Sequence, residues 1–591
     1  MLPSLVFAAL TLLPQQPRPP LWHPPRAPSP LLCASATAAA ADGTCDVVVV
    51  GSGLGGLSAA ALLAKYGESV TVCEAHSIAG GCAHGFDRRG KQGERYSFDS
   101  GPSLWLGCAA PSTNPLRQVL DAVGESPEWA QYDGWCNYTP EGTFYTKVGD
   151  MADWRATMAR LGNGEETVAQ WDRLLEWTAP LQRAVTSVPP LALRGDAGAL
   201  LTATRYLGGM ANPLIGLRAS YLEGPWSAVL EAAGVTDPWL LNWFDFLAFA
   251  FSGLPSEGTV AAAMVYMLAE MYKPGAMMDY PIGGSAAVVD ALVRGLEKHG
   301  GSLQLGTAVE ELLIDDGGDG RCVGVRLANG RTIRARKAVI SNADVWQTAA
   351  LLPAAARAAV QAKLGAPARK VSRPLDEQTP PTPSFVHLHL GIRAGGLSER
   401  CLSSIHHISV PEWSRLMAPA STDTDDGTVF VSVPSLIDPS LAPEGEHVIH
   451  AYVPATEPYE LWEGVARGTA EYEELKQRRA RPLYAAIEQF IPDVRERVTL
   501  ELIGSPITHA RFLRRHRGTY GPELRAGTEA FPGARTPVAG LFVCGDSTWP
   551  GIGVPAVAGS GIAAAHAIVG VGPQQELLVE MRGRGVLEEA R

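Results

Sequence analysis

The stretch Asp46-Val-Val-Val-Val-Gly51-Ser-Gly53-Leu-Gly55-Gly56, followed by a second apolar run that ends just before Glu74, carries the clearest chemistry in the chain. It reads as strand, tight turn, helix, strand, acid. Gly51 permits the sharp turn, Gly53 lets backbone approach a pyrophosphate, and Gly56 lets the helix pack closely on the sheet. Gly55 lies in the same cofactor-binding turn. The helix that begins here offers an anion its unpaired N–H groups and the positive end of its dipole. Glu74 follows about 20 residues on, where an acid accepts hydrogen bonds from ribose hydroxyls. The pattern predicts a bound dinucleotide rather than a glycine-rich turn that only packs on a sheet.

Positioning such a turn requires the rest of a sheet, and two later stretches have the right form. Near the far end, Gly540-Leu-Phe-Val-Cys-Gly545-Asp546-Ser-Thr548 and Pro550-Gly-Ile-Gly553-Val554-Pro555 lead into an Ala/Gly-rich run to His566. This is a buried strand with an acid at its C-terminal end, a Gly/Pro loop, and a small-residue helix able to approach a ligand closely. Between the two ends, Tyr280-Pro-Ile-Gly-Gly-Ser285 opens a helical pattern at Val288, Leu292 and Leu296. The stretch Gly301–Val309, a hairpin turning around Asp315 to Arg321, and Ala338-Val-Ile-Ser-Asn342-Ala-Asp344 come next.

The residues after Glu74 select the dinucleotide. Ala75-His-Ser-Ile-Ala-Gly80-Gly81-Cys82, Phe86 and Phe98-Asp99-Ser-Gly101-Pro102 resemble the phytoene desaturase-like branch of FAD-dependent amine-oxidase-type flavoproteins. The resemblance covers nearly the whole chain after the first forty residues and implies FAD as the cofactor. It implies that the turn at Gly80 and Gly81 passes the diphosphate through its backbone, with Cys82 standing where many members place Arg. It further implies that Asp546, after Gly545, faces the ribityl chain and diphosphate. The helix start at Gly553 and Val554 would then face the flavin, and the backbone near Val309 the adenine.

Val433-Pro-Ser435, Asp438-Pro439, Leu441-Ala-Pro-Glu-Gly-Glu-His447 and Gly518-Thr-Tyr-Gly-Pro522 resemble marks of carotenoid isomerases, carotene desaturases and retinol saturases, the isomerases most closely. The implied activity is cis-to-trans isomerisation of a poly-cis carotenoid by reduced flavin, without net redox. A net-redox carotene desaturase or retinol saturase-like enzyme is the alternative. An amine oxidase, or a flavin-free prenyl-binding protein of the GDP-dissociation-inhibitor type, is further away. No hydrolytic or nucleotide-triphosphate motif is present, so the chemistry is assigned to the flavin and no catalytic side chain is named.

The expected fold is α/β. A Rossmann-like FAD domain of the glutathione-reductase type is assembled from discontinuous segments (45–110, 276–350 and 536–572). It is interleaved with an α+β substrate domain (a helical part at 111–275 and a second part at 351–535), leaving a tail at 573–591. A chain of 591 residues, 46% of them hydrophobic, can bury cores of that size. The net charge of −12, without a Lys/Arg cluster, argues against nucleic acid as a partner.

Nine cysteines without a CxxC pair point to a reducing compartment, with Cys73 and Cys544 packing as small hydrophobes. His387 and His389 alternate on a strand and His406 adjoins His407, but no acid spacing completes a ligand set, so no metal is expected. Residues 1–41 lack acids and are rich in Pro, Ala and Ser. They resemble a plastid or mitochondrial transit peptide, with Leu5–Leu13 readable as the h-region of a signal peptide ahead of it in a two-part leader, and the family resemblance implies the plastid. The aromatic run from Trp239 to Phe251 is broken by Asp245, and Pro255 and Glu257 follow, so no clean span of about 18 apolar residues exists. It suits either a bundle of buried helices or the wall of a hydrophobic tunnel reached from a membrane surface. The resemblance implies a plastid setting, in the stroma or peripherally on a membrane, and a hydrophobic isoprenoid substrate.

Overall fold

The computed structural model describes residues 43–101, 103–206, 213–315, 320–357, 379–418, 427–527 and 532–587. The expected leader and Pro102 lie outside them, as does 316–319 of the hairpin turn.

The first of two seven-stranded sheets joins strands from three distant parts of the chain. Its order is Ser302–Gln304, Val70–Cys73, Gly43–Val50, Thr332–Ser341, Cys322–Leu327, Val309–Ile314. Leu541–Val543 pairs with the upper half of Thr332–Ser341 through Val339, Ile340 and Ser341. Gly43–Val50 runs parallel to both neighbours, and Val309–Ile314 with Cys322–Leu327 forms an antiparallel hairpin. Val47, Val48 and Val49 are wholly buried, because a parallel strand covered on both faces must be apolar throughout. One face carries the helices Leu54–Lys65, Ser285–Lys298 and Val554–Ile568. The hairpin cluster of Val309, Leu312 and Val325 packs with Val48, Val50 and Cys73. Cys73 and Cys544 are buried in these clusters.

Leu54–Lys65 is buried along nearly its whole length, which explains why Gly and Ala crowd it. A Cβ on Gly561 of the last sheet helix would stand 2.4 Å from the Gly55 carbonyl oxygen. The two helices therefore meet backbone to backbone. Two elements fall elsewhere than the sequence boundaries suggested. Pro115–Val123, expected in the substrate-facing part, buries Leu116, Val119 and Leu120 in the first core. Val571–Gly583, expected largely as a tail, adds Leu577, Leu578 and Met581 to it.

The second sheet has the order Val498–Gly504, Ser384–Arg393, Glu446–Glu457, Val429–Ser432, His406–Ser409, Gly134–Thr139, Gly142–Lys147. The helix Ala470–Glu488 covers one face with Tyr472, Leu483 and Ile487. Of the two readings of the aromatic run, the buried bundle describes the helix Pro238–Ser252. Trp243 and Phe244 are fully buried, and Trp239 stacks on Trp243 at 5.8 Å and tilts against Trp154 at 5.9 Å. Asp237 caps this helix by accepting from Leu240 N. Among the described residues, no helix is long and apolar enough to cross a membrane.

Histidines are locked into both cores as neutral rings. His566 meets Tyr66 Oη at 2.9 Å and Leu193 O at 2.8 Å, tying the last sheet helix to the end of the first. Burial lowers His389 and His566 to about 4, and His406 and His509 to about 3. The unfolded chain protonates these rings near pH 6.5, so their contribution is complete above that pH and is lost as pH falls toward 4 and 3. The urea midpoint is therefore expected to be flat between pH 7 and 8 and to fall steeply from about 6.5 to 4.5, with protons taken up on unfolding. A midpoint constant across that acid range would contradict the assignment.

Candidate dinucleotide site

Gly51 adopts φ +92°, which only glycine takes without strain, and its N–H donates to Cys73 O at 2.8 Å. Gly53 then starts the helix in extended backbone, with no side-chain cap and no acid in the first turn. The helix N-terminus is thus left open to an external anion. Glu74 is aimed at the turn. Ser52 donates to one carboxylate oxygen through N at 2.8 Å and Oγ at 2.7 Å, and His76 N donates to the other at 2.7 Å. A carboxylate has about four acceptor positions, so room remains for ribose hydroxyls.

Thr307 N donates to Glu74 O at 2.7 Å, which brings the start of the Val309 strand beside the acid. Gly80 pairs with Gly53 and donates to Ser52 O at 3.1 Å. A Cβ on Gly81 would lie 3.0 Å from Gly53 Cα. The two glycine turns are stacked backbone on backbone.

One residue at this junction had no warning in its spacing. Asn342 follows the branching strand, and its side chain fills the space beneath the turn. A Cβ on Gly53 would stand 2.5 Å from Asn342 Nδ2, one on Gly55 2.8 Å from Oδ1, and one on Gly545 3.1 Å from Oδ1. Gly56 faces the Gly51 carbonyl at 2.4 Å on the same construction. Gly53, expected to be bare for a pyrophosphate, is bare for Asn342. Gly55 lies between Asn342, Val557 O and Gly545 N, which is a packing position.

The second half of the site comes from the chain's far end. Gly545, at φ +103°, donates its N–H to Ser560 Oγ at 2.8 Å. Asp546 pairs with Arg515 at 2.5 Å, and the same guanidinium donates to Thr519 O at 2.7 Å and Tyr520 O at 2.6 Å. Sequence reasoning missed Arg515, although it lies just ahead of the Gly518-Thr-Tyr-Gly mark. Cys82 reaches the same place. Its exposed side chain stands beside Arg515. Gly553, at φ +108°, precedes Val554–Ile568 and faces Phe251 O, so the aromatic helix ends at this helix start.

The Asp99 and Tyr280–Ser285 motifs lock together. The buried Asp99 carboxylate accepts from Ser285 N and Oγ at 2.7 Å and from Tyr280 Oη at 3.0 Å, holding the start of Ser285–Lys298. Ser100 Oγ donates to Cys82 O at 3.0 Å, which ties the Asp99 strand to the Gly80–Cys82 turn.

Against these segments lies the face of the second sheet that carries His387, His389 and His450. Among the described residues these rings form the one group whose ligand atoms lie within 4.8 Å of one another. The third ring comes from register, since His450 sits directly opposite His389 across the strand pair, and linear spacing does not reveal it. A metal fits this arrangement poorly. His387 Nδ1 and His450 Nε2 are 2.8 Å apart and already hydrogen-bonded, and His389 stacks on His450 with 6° between planes. Stacked rings do not point in-plane lone pairs at one ion.

The fold is that of an FAD-binding α/β oxidoreductase, and the chain belongs to the flavin containing amine oxidoreductase family, whose model matches residues 54–569. Its cofactor is FAD. It is 30% identical to a chloroplastic prolycopene isomerase of Arabidopsis thaliana, over 88% of this chain and 82% of that one. It is 26% identical to a neurosporene-forming phytoene desaturase of Rhodobacter capsulatus, over 88% and 93%. An oxidoreductase of Methanosarcina mazei shares the fold with a TM-score of 0.51 and 20% identity, over 88% of this chain and 99% of that one.

Gly53→Val drives a branched side chain into Asn342, and the purified variant is expected to lose nearly all flavin absorbance while its secondary structure persists. Arg515→Gln removes the cation that holds Asp546. Because charge-assisted hydrogen bonds contribute about 1.5–3 kcal/mol, FAD affinity is expected to weaken by roughly tenfold or more. Stoichiometric flavin after gel filtration of either variant would contradict its part of the assignment.

Proposed function

We propose that the protein is an FAD-dependent carotenoid isomerase that converts a poly-cis carotenoid of the prolycopene type to its all-trans form. The observation that carries the reading is the similarity to a prolycopene isomerase along 88% of the chain, supported by the pairing of the first, branching and last strands of the sheet. FAD is held by the helix start at Gly51–Gly56, by Glu74 at the ribose, by the Gly80–Gly81 backbone, by the chain near Val309 at the adenine, and by Gly545–Asp546 and Gly553–Val554. Segments 45–110, 276–350 and 536–572 form the cofactor domain, joined by the helices Pro115–Val123 and Val571–Gly583 that pack into its core.

Reduced flavin supplies the electron density that lowers the order of one polyene double bond. The chain's own residues orient the polyene and keep water out. Phe385, Tyr452 and Tyr520 form an aromatic wall beside Arg515, with Phe385 edge-on to Tyr520 at 5.0 Å. The protein works in plastids, in the stroma or peripherally on a membrane that dissolves its substrate. The similarity to a phytoene desaturase supports a second reading, a net-redox enzyme of the same substrate class.

Poly-cis lycopene supplied in liposomes, with oxygen excluded and FAD either oxidised or reduced, separates the two readings. All-trans lycopene of unchanged mass, formed only with reduced flavin, is the expected product. A mass change of two hydrogens overturns the isomerase in favour of a desaturase or saturase.

A further inference from the structure

The barest apolar side chains of the molecule gather at one corner. Among the described residues, the most exposed large apolar side chains are Leu217 at 73%, Leu201 at 65% and Val579 at 62%, and Leu200 and Leu214 are exposed beside them. Contacts between their elements bring them together. Gln575 Nε2 donates to Leu201 O at 3.1 Å and Arg582 to Tyr206 Oη at 3.1 Å, so Val571–Gly583 sets the side that carries Val579 next to the short helix Ala199–Thr202. Thr202 Oγ1 donates to Ala192 O at 2.7 Å, a few residues past the end of the helix Glu165–Ser187. Ile215, between Leu214 and Leu217, packs on Ala184 in the last turn of that same helix. Clustered apolar surface left in water marks a place of interaction, whereas single exposed leucines do not.

Charge around the leucines runs against that of the chain. With 61 acids and a net charge of −12 overall, the chain has no acid from residue 197 to 222, where Arg205 and Arg218 are the only charged residues. Arg205 is exposed. Arg218 lies over the half-buried Trp177 at 4.7 Å, and that ring meets Tyr221 edge-on at 5.1 Å. On the neighbouring helix, Glu576 and Glu580 fall on the far side of Val579 from Gln575 and Arg582, and Glu580 is held by Lys65 at 2.9 Å. Leucine tips, half-buried Trp and Tyr, and Arg without acids beside it match the layers of an anionic bilayer: acyl chains, headgroup boundary and lipid phosphates. Neither Ala199–Thr202 nor Pro213–Arg218 is long enough to offer a protein partner a repeating helical face. A fluid hydrocarbon layer receives single side chains without needing one.

Resting on the reading of a carotenoid substrate dissolved in a membrane, we infer that this corner, Leu200, Leu201, Leu214, Leu217 and Val579 with Arg205 and Arg218, docks the protein on an anionic lipid bilayer. Its place in the fold suits substrate entry. Ala203 and Tyr206 belong to the core of the first sheet and Leu222 to the aromatic bundle, so the corner lies where the cofactor domain meets the helical part of the substrate domain. A polyene that leaves the bilayer there reaches the seam between the two without crossing water.

The test uses full-length holoprotein with vesicles of phosphatidylcholine, with and without phosphatidylglycerol. Hydrogen exchange reads the corner locally: backbone amides of 200–206 and 214–222 are expected to slow on vesicles containing phosphatidylglycerol. Unchanged exchange there overturns the inference, even if the chain is held on the vesicle by another segment. The double variant Leu201→Gln, Leu217→Gln changes side chains that stand in water, so FAD content and unfolding temperature are expected to stay as in wild type. Protection of the two segments is then expected to need on the order of 100-fold more lipid, about tenfold for each leucine. A double variant protected at the wild-type lipid concentration overturns the inference. Arg205→Gln is expected to weaken the same protection roughly fivefold, on the anionic vesicles alone. Wild type that stays off vesicles and sediments as a dimer, which the double variant splits, gives the corner to a second copy of the chain and overturns the lipid. Conversion of poly-cis lycopene by the double variant is expected to fall in liposomes and to equal wild type in detergent micelles. No product from wild type in either form removes the isomerase reading, and the exchange result then decides the docking face by itself.

Discussion

Backbone must touch backbone beneath the turn at Gly51–Gly56, and most of the architecture follows from that constraint. The helix start can sit above Asn342 and beside Gly545 only because four neighbouring positions lack a Cβ that would otherwise fall 2.4–3.1 Å from other atoms. Asn342 is held in turn by its N–H on Val50 O, at the end of the first strand. A close approach of this kind cannot be relaxed locally, since protein interiors are packed too tightly to absorb a shift of half an ångström or more at each contact. It forces the strand carrying Asn342, the first strand and the last strand into one sheet. The open helix end is then delivered to the place where Glu74, Gly80 and Asp546 converge.

Polar anchoring reinforces this frame at its edges. Asp99 gathers three donors from the segment around Tyr280–Ser285, and Arg515 bridges Asp546 to the carbonyls of Thr519 and Tyr520. Both acids are stationed where segments distant in sequence meet. Removing either partner would leave an uncompensated buried group, which makes such pairs more informative about specificity of assembly than about net stability.

Much of this was legible in the sequence because it rests on local signals. Gly51 at positive φ, the apolar strand before it and the acid after it are spaced by a few residues each, and short-range spacing survives reading along a line. The sheet and its three contributing segments were legible for the same reason. Asn342, Arg515 and the His387–His389–His450 group were not, because their meaning lies in what they face across a strand pair or beneath a turn. His450 stands opposite His389 by register, a relation that no linear spacing encodes. Pro115–Val123 was misplaced because its amphipathic pattern shows that one face is buried but not against which core.

The branching strand Thr332–Ser341 has a consequence for biosynthesis. Its lower half finds Cys322–Leu327 a few residues away, but its upper half waits for Leu541–Val543, some two hundred residues later in the chain. On the ribosome, the first and middle segments emerge and pair while the edge at Val339–Ser341 stays open. Gly545, Asp546 and the helix that covers Gly55 are still unmade. Closing so long a loop is slow relative to local folding, and the open edge is exposed meanwhile. On the proposed site, FAD can be captured with full affinity only after Leu541–Val543 and Gly545–Asp546 have joined the earlier segments, so cofactor supply and the arrival of that late segment meet in time.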